Sequence, residues 1–204
     1  MLQRFPATTL IAGVTIVCSA LLILTPALGS YAVLGGFVPA SVTQAVDGPD
    51  GLPLVPWFLS PLTATLIHAG WTHLAFNLLM LVVCGSQLER ALGPRLVALL
   101  YIVGAYAAAL GEWALQPGSL TPMIGASGAV SALIGGYALL FSSPKMARTI
   151  NVLWMAAAWI GLQTLYGLVA GLGGATLAVG AQVGGFLAGL ALARPLLLWH
   201  YRRA

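Results

Sequence analysis

Long apolar runs make up most of this chain, and they limit its fold more than any other feature. Of its 204 residues, 60% are hydrophobic and only 6% are charged. A soluble domain carries roughly 25% charged residues and exposes them to water. This chain has too few polar residues to cover a water-exposed surface. The composition therefore predicts an integral membrane protein that is surrounded by the lipid bilayer.

The apolar runs divide into six segments. A transmembrane helix needs about 20 mostly apolar residues, which allows six or seven spans in a chain of this length. The segments are residues 8–28, 72–88, 96–115, 127–142, 147–172 and 176–198, of which the fourth is short for a full span. They predict an all-α membrane protein in which six transmembrane helices form a single domain over residues 1–204. The first segment is longer than the roughly 7–15-residue core of a cleaved signal peptide, so we expect it to be retained.

The longest connection, residues 29–71, is partly apolar and contains five prolines. Trp57 and Phe58 within it are aromatic residues of the kind that concentrate at membrane–water interfaces. We therefore expect this first loop to lie on or in the edge of the bilayer.

The basic residues predict the orientation of the helices. If six helices cross the membrane from a cytoplasmic N-terminus, every Lys and Arg lies on the cytoplasmic side. Such a bias determines orientation in membrane proteins, so we expect both termini in the cytoplasm. The short loops and the lack of an extra domain are typical of a bacterial inner-membrane protein. The basic residues are Arg4, Arg90, Arg95, Lys145, Arg148, Arg194, Arg202 and Arg203.

The sequence disfavours several classes of function. The net charge of +4 comes from single basic residues that form no nucleic-acid-binding patch. Cys18 and Cys84 lie inside apolar runs, where a cysteine behaves as a small hydrophobe, and no metal-ligand spacing is present. We therefore expect no nucleic acid and no metal. A small transporter fits the composition, but the chain has neither an internal repeat nor the charged mid-membrane residues that a transporter predicts.

Polar side chains lie where the second, fourth and sixth segments enter the membrane from its outer side. His73 and Asn77 are four residues apart, so they share one face of the second segment. Ser127 lies in the first turn of the fourth segment, and Gln182 lies about two turns into the sixth. Polar side chains in a membrane usually face the protein interior and mark a site. The four residues are therefore predicted to meet at one depth in the outer leaflet.

Small residues surround this predicted meeting point. Gly185 belongs to a ridge of small residues on the sixth segment, and the fourth segment has a similar ridge that begins at Ser127. Such ridges allow membrane helices to touch backbone to backbone. Gly125 and Gly128 flank the serine and permit a tight backbone with free N–H groups at the positive end of a helix dipole. That arrangement suits an oxyanion hole. The alternative is that Ser127 only caps a short helix.

Three motifs, in order, resemble those of the rhomboid family of intramembrane serine proteases. "HAGWTHLAFNLLMLVVCGSQLERALG" (68–93) is similar to the family's second-helix signature, "GASG" (125–128) to its nucleophile motif, and "GAQVGGFLAG" (180–189) to its last-helix motif. The resemblance extends from about residue 63 to residue 194. It implies a six-helix bundle around a water-filled cavity that opens outward. It also implies an enzyme without a cofactor that cuts transmembrane segments of other proteins near the outer face.

The resemblance implies roles for individual residues. Ser127 matches the nucleophile, and His73, Asn77 and the Ser127 backbone N–H match the oxyanion hole. His68 is similar to a second family histidine, for which a structural hydrogen bond is the stronger interpretation. Gln182 departs from the pattern, because the family's proteases have a histidine there as general base. A glutamine amide is not basic and cannot hold the serine proton. In a soluble serine protease, loss of a triad member leaves only ~10³–10⁴-fold catalysis.

Two interpretations of Gln182 stay open. In the first, it is a single substitution, natural or engineered, in an otherwise intact protease that is impaired as a result. The retained Ser127, His73 and Asn77 favour this interpretation. In the second, the chain is a rhomboid pseudoprotease that binds transmembrane clients without cutting them, and the polar residues only stabilise a water-filled cavity.

Overall fold

The computed structural model describes residues 4–142, 147–169 and 178–202, without the side chains of residues 147–149 and 166–169. These parts of the chain are helical, and their β-structure is limited to two isolated bridges. The described residues form eight α-helices: α1 (Pro6–Ile23), α2 (Leu28–Gly35), α3 (Ser60–Ala64), α4 (Trp71–Leu92), α5 (Pro94–Leu115), α6 (Ser127–Phe141), α7 (Ala147–Val169) and α8 (Val179–Arg202).

The six long helices lie where the apolar segments predict helices, with three corrections at their ends. Helix α1 stops at Ile23 rather than at residue 28, because the residue before Pro26 is disfavoured in helical conformation. Helix α4 continues to Leu92, where Gly93 with φ 78° ends it. Helix α8 begins at Val179 rather than at residue 176, and residues 170–172 and 176–177 of the predicted segments lie outside the described residues.

Four of the described helices, α1, α4, α5 and α8, are long and apolar enough to cross a membrane. Two more apolar stretches, Ser127–Phe141 in α6 and Ile150–Leu165 in α7, are shorter. At 1.5 Å per residue the 15 residues of α6 extend over about 22 Å, less than the roughly 30 Å of a hydrocarbon core. Helix α6 packs against α4, α5, α7 and α8 and is buried over most of its length, so it is the central helix of the bundle.

Side-chain contacts define the two ends of the bundle. At one end, the Glu89 carboxylate of α4 accepts hydrogen bonds from the backbone N–H groups of Ala7 and Thr8 at the start of α1 (2.9 and 2.8 Å), and from the Thr8 hydroxyl (2.6 Å). A carboxylate there also complements the positive end of the α1 dipole. At the other end, the first turns of α4, α6 and α8 lie together. We call the two ends the Glu89 end and the Ser127 end.

The first loop is folded against the bundle. Thr63 at α3 donates a hydrogen bond to the Gly35 carbonyl at the end of α2 (2.6 Å), and Tyr106 of α5 donates one to the Phe58 carbonyl (2.9 Å). Trp57 and Phe58 remain about half exposed, at 49% and 52%. These contacts fix the loop, while its association with the bilayer edge stays a prediction.

Helices α6 and α8 touch backbone to backbone, as the small-residue ridges predict. A Cβ atom added at Gly185 would overlap the Gly128 carbonyl, and one added at Gly189 would overlap the carbonyl of Ala132. Helix α5 meets α8 in the same way, since a Cβ at Gly111 would overlap the Gly180 carbonyl. In lipid, such close packing replaces the hydrophobic drive that associates helices in water.

We expect Gly185→Ala to lower the free energy of unfolding by about 1–3 kcal/mol, because the new methyl group must push α8 away from α6. The measurement is unfolding of the purified protein in mixed micelles by titration with SDS. Gly161→Ala on α7 is the matched control, because a Cβ there meets no atom within 4 Å. Equal effects of the two substitutions would contradict the backbone contact.

Candidate active site

Ser127 is the first residue of α6 and directly follows a tightly bent loop. Gly125 has φ 102°, a conformation that favours glycine, and its N–H donates to the Ala64 carbonyl (2.9 Å). The N-cap residue is Ala126, and no side chain caps the helix. The alternative in which Ser127 caps the helix is therefore wrong. The half-buried Ser127 hydroxyl makes no hydrogen bond among the described residues.

The first turn of α6 presents free backbone donors. Within the described part of the chain, the N–H groups of Ser127 and Gly128 have no hydrogen-bond partner. The first N–H groups of a helix lack intrahelical acceptors and lie at the positive end of its dipole. The first turn of α6 therefore offers donors of the kind that oxyanion stabilisation requires.

His73 lies directly against this turn. A Cβ atom on Gly125 would approach its ring to 2.6 Å, so glycine is needed here for space as well as for its φ angle. Asn77, one turn further along α4, is 1% exposed. Its Nδ2 donates to the His73 carbonyl (2.9 Å), while its Oδ1 is buried without a partner among the described residues. The structure therefore brings His73 and Asn77 to the same end of the bundle as Ser127.

His68 connects three parts of the chain. Its Nε2 accepts a hydrogen bond from the Ala126 N–H (3.3 Å), and its Nδ1 lies 2.8 Å from the Ser19 hydroxyl, which donates to the Leu66 carbonyl. These partners assign the neutral tautomer with the proton on Nδ1. Burial, and to a smaller extent the neighbouring His73, lower the pKa of His68 to about 3, so the ring is neutral at neutral pH. The ring holds the residue that precedes Ser127.

Gln182 lies in the first turn of α8, not two turns in, because the helix begins at Val179. The carbonyl of the adjacent Ala181 lies 3.6 Å from the position of a Cβ on Gly128, so this turn of α8 faces the start of α6. Gln182 is 3% exposed, and its Oε1 is buried without a partner in the described residues. It makes no hydrogen bond to Ser127, although its turn is adjacent to the serine's turn.

Two residues near the site were missed by the sequence reasoning. Trp159 of α7 donates an indole N–H to the Ser131 hydroxyl (2.8 Å), and Ser131 in turn donates to the Ser127 carbonyl (2.7 Å). A tryptophan in a membrane helix needs an acceptor for its N–H, but the sequence does not indicate which one. This chain of bonds attaches α7 to the first turn of α6.

Glu112 is the second missed residue. It is 7% exposed, and its Oε2 accepts the Ala181 N–H (3.1 Å). Glu112 thus holds the first turn of α8, next to Gln182, in the way that Glu89 holds the first turn of α1. Among the described residues, no group of three or more His, Cys, Asp or Glu could bind a metal ion.

Comparison with known proteins assigns the chain to a family. It matches the family model for the rhomboid domain over residues 57–199. It is 43% identical over 72 residues to Rhomboid-related protein 2 of Mus musculus, 27% over 186 residues to RHOMBOID-like protein 4 of Arabidopsis thaliana, and 30% over 138 residues to Rhomboid protease GluP of Bacillus subtilis. These alignments cover 35%, 88% and 66% of this chain. The chain is an all-helical integral membrane protein, and it belongs to the rhomboid family.

The chain spans less than half the length of these relatives. The alignments cover 23% of the mouse protein, 42% of the Arabidopsis protein and 26% of the Bacillus protein. The family includes serine intramembrane proteases as well as inactive members. Membership therefore supports either a protease or a pseudoprotease.

We expect Glu112→Ala to destabilise the first turn of α8, because it leaves the buried Ala181 N–H without an acceptor at a cost of about 1–3 kcal/mol. Hydrogen–deuterium exchange at residues 179–185 should accelerate about fivefold or more, as that cost implies. Glu112→Gln retains an acceptor oxygen and should show a smaller increase. Asp47→Ala, which removes an exposed carboxylate, should leave the exchange unchanged. Unaltered exchange in Glu112→Ala would contradict the capping role.

The buried neutral His68 also predicts a pH dependence of stability. Its pKa in the folded protein, about 3, lies below the value of 6.5 for an exposed histidine, so the unfolded chain binds more protons in that range. Its stabilising contribution is complete above pH 6.5 and falls by up to about 1.4 kcal/mol per pH unit as the pH decreases toward the folded pKa.

The variant that tests this dependence is His68→Gln, in which a non-titrating amide can accept from Ala126 and donate to Ser19. Thermal unfolding in detergent at pH 7 and pH 5 should show a smaller loss of stability for the variant than for the parent chain. His200→Gln, a partly exposed histidine at the Glu89 end, is the control and should retain the parental loss. A parental loss in His68→Gln would show that another group causes it.

Proposed function

We propose that this chain has the architecture of a rhomboid serine endopeptidase for transmembrane segments and that Gln182 impairs its turnover. In this proposal Ser127 is the nucleophile, and its backbone N–H, His73 and Asn77 form the oxyanion hole. Gly125, Gly128 and Gly185 supply the space that the site requires, and His68 positions the approach to the serine. The substrates are transmembrane segments of other membrane proteins, cut near the outer face, as the family resemblance implies.

The observation that carries the proposal is the first turn of α6. A half-accessible serine hydroxyl stands there beside two unpaired backbone N–H groups, and the His73 ring packs against the preceding glycine. In acyl transfer, Ser127 Oγ would bond to the scissile carbonyl carbon, and the carbonyl oxygen would become the anion that these donors stabilise. Free N–H groups are common to helix starts, and what supports a site here is their combination with a serine hydroxyl and a histidine ring.

Two unpartnered amide oxygens support a binding site at the same place. Asn77 Oδ1 and Gln182 Oε1 are buried without partners among the described residues. A buried acceptor without a hydrogen bond costs about 1–3 kcal/mol. Such atoms in one region suit a cavity that admits water or the N–H groups of an unwound peptide.

The proposed impairment follows from the proton of the Ser127 hydroxyl. As Oγ attacks, this proton must move to a base, and the Gln182 amide cannot hold it. Glu112 is engaged with the Ala181 N–H of α8, and His68 is engaged on both ring nitrogens. The same observation supports the second candidate, a pseudoprotease that binds transmembrane clients through an intact cavity without cutting them.

The proposal includes a topology and a location. We propose that one domain spans residues 1–204, that six helices cross the membrane with both termini in the cytoplasm, and that the first loop lies at the bilayer edge. Arg4, Arg90, Arg95, Arg194 and Arg202 lie at the Glu89 end, which the positive-inside rule assigns to the cytoplasm. A bacterial inner membrane is the proposed location, supported by the short connections between α4 and α5 and between α6 and α7.

The test is labelling of the purified protein in detergent with a fluorescent fluorophosphonate, which reacts only with an activated serine. We compare the parent chain, Gln182→His, Ser127→Ala and the double variant. The introduced imidazole should accelerate labelling by about 100-fold or more, the usual contribution of a general base. Both chains that carry Ser127→Ala should stay unlabelled.

The possible outcomes separate the candidates. Strong labelling of the parent chain through Ser127 would contradict the impairment and require another base. Absence of labelling in Gln182→His, with thermal stability equal to that of the parent, would contradict the protease architecture and favour the client-binding pseudoprotease.

A further inference from the structure

A cavity of about 490 Å³ opens at the Glu89 end, opposite the candidate active site. It lies where the short turn between α4 and α5 meets the last turns of α8. Its walls are apolar, and its polar groups are a guanidinium, an imidazole and an indole. The lining residues that matter for its chemistry are Leu92, Leu96, Leu99, Arg95, Trp199 and His200.

No described residue neutralises the cation in this cavity. Arg95 is exposed and makes no ion pair or hydrogen bond with any described residue. The sequence has only four acidic residues, and the one at this end, Glu89, is fully engaged with the start of α1. Arg90, by contrast, lies over the Phe5 ring (5.0 Å) and contacts Gln87. Arg95 therefore supplies an uncompensated positive charge at the rim of an apolar cavity.

The second polar group is close to the first. The His200 ring lies 3.4 Å from the position of a Cβ atom on Gly93, which places the end of α8 against the turn that precedes Arg95. Trp199 adds an amphipathic ring of the kind found at the headgroup level of membranes. The cavity also faces the amino-terminal turn of α5, whose dipole adds a partial positive charge. All of these groups favour an anion.

The apolar walls identify the kind of anion. Leu96 and Leu99 extend from the charged rim along the outer surface of α5, and Leu99 is 38% exposed. A small soluble anion would gain nothing from these walls, whereas a phospholipid would place its phosphate at the rim and its acyl chain along the leucines. Basic pockets between transmembrane helices on the cytoplasmic side bind anionic lipid headgroups in this way.

We propose that this cavity, defined by Arg95, His200, Trp199 and the α5 leucines, binds the headgroup and upper acyl chain of an anionic phospholipid. The Arg95 guanidinium contacts the phosphate, and His200 donates a hydrogen bond to the headgroup. The site is independent of Ser127 and of the function proposed for it, because it lies at the opposite end of the bundle. It would anchor the α4–α5 turn and the end of α8 to the same lipid.

The test is native mass spectrometry of the purified chain, titrated with phosphatidylglycerol or with phosphatidylcholine of the same acyl chains. We expect one phosphatidylglycerol to bind more tightly than phosphatidylcholine. Arg95→Gln should weaken that binding by about fivefold to tenfold, as expected for one basic residue near a membrane surface. Arg194→Gln is the matched control, because it removes an exposed charge of the same helix bundle that does not line the cavity.

Three outcomes would overturn the proposal. Equal weakening by Arg95→Gln and Arg194→Gln would show diffuse attraction rather than a site. Unchanged binding in Arg95→Gln would show that the cavity is not the binding place. Displacement of the lipid by inorganic phosphate at equal concentration would identify a soluble anion instead. Arg95 is exposed, so its substitution should leave thermal stability unchanged, and that measurement accompanies the titration.

Discussion

The backbone contact between α6 and α8 is the constraint on which the rest of the molecule depends. Gly185 and Gly189 lie so close to the carbonyls of α6 that even a methyl group would overlap them. The contact determines which turn of α8 lies beside Ser127, and it makes α6 a central helix that can be shorter than the membrane. Without hydrophobic attraction between helices in lipid, shape is the main source of this specificity. The same glycines therefore serve both the fold and the position of the site.

Helix ends supply the second constraint, because backbone N–H groups in a membrane must find acceptors within the protein. Two of the four acidic residues in the chain are used for this purpose. Glu89 holds the start of α1, and Glu112 holds the start of α8. The first turn of α6 is the contrasting case, since Ser127 and Gly128 leave their N–H groups unpaired among the described residues. Among the described residues the start of α5 also has unpaired N–H groups, so the α6 start is marked as a candidate oxyanion hole by the combination of free donors with the Ser127 hydroxyl and the His73 ring.

Much of this arrangement can be predicted from the sequence, because local spacing determines it. The four-residue interval between His73 and Asn77 places both on one face of α4, and the small-residue ridges indicate the close approach of α6 and α8. The start of α8 could not be placed, because the capping carboxylate, Glu112, comes from a residue 69 positions away in the chain. The hydrogen bond from Trp159 to Ser131 could not be predicted for the same reason, since one indole N–H can pair with many different acceptors. The pattern of a single sequence does not show which polar groups pair with each other over long distances in the chain.

The lack of a base at position 182 leaves the rest of the site unaffected. The donors of the first turn of α6 are backbone groups, and the packing that positions them involves glycines, His68 and Ser131, none of which depends on the side chain of residue 182. Glu112 holds α8 through the backbone of Ala181, so the helix stays in place whichever side chain follows. A histidine and a glutamine also differ little in reach. The same scaffold therefore suits cutting when residue 182 is a base and binding when it is a glutamine, and the difference between them is a single proton acceptor rather than a different fold.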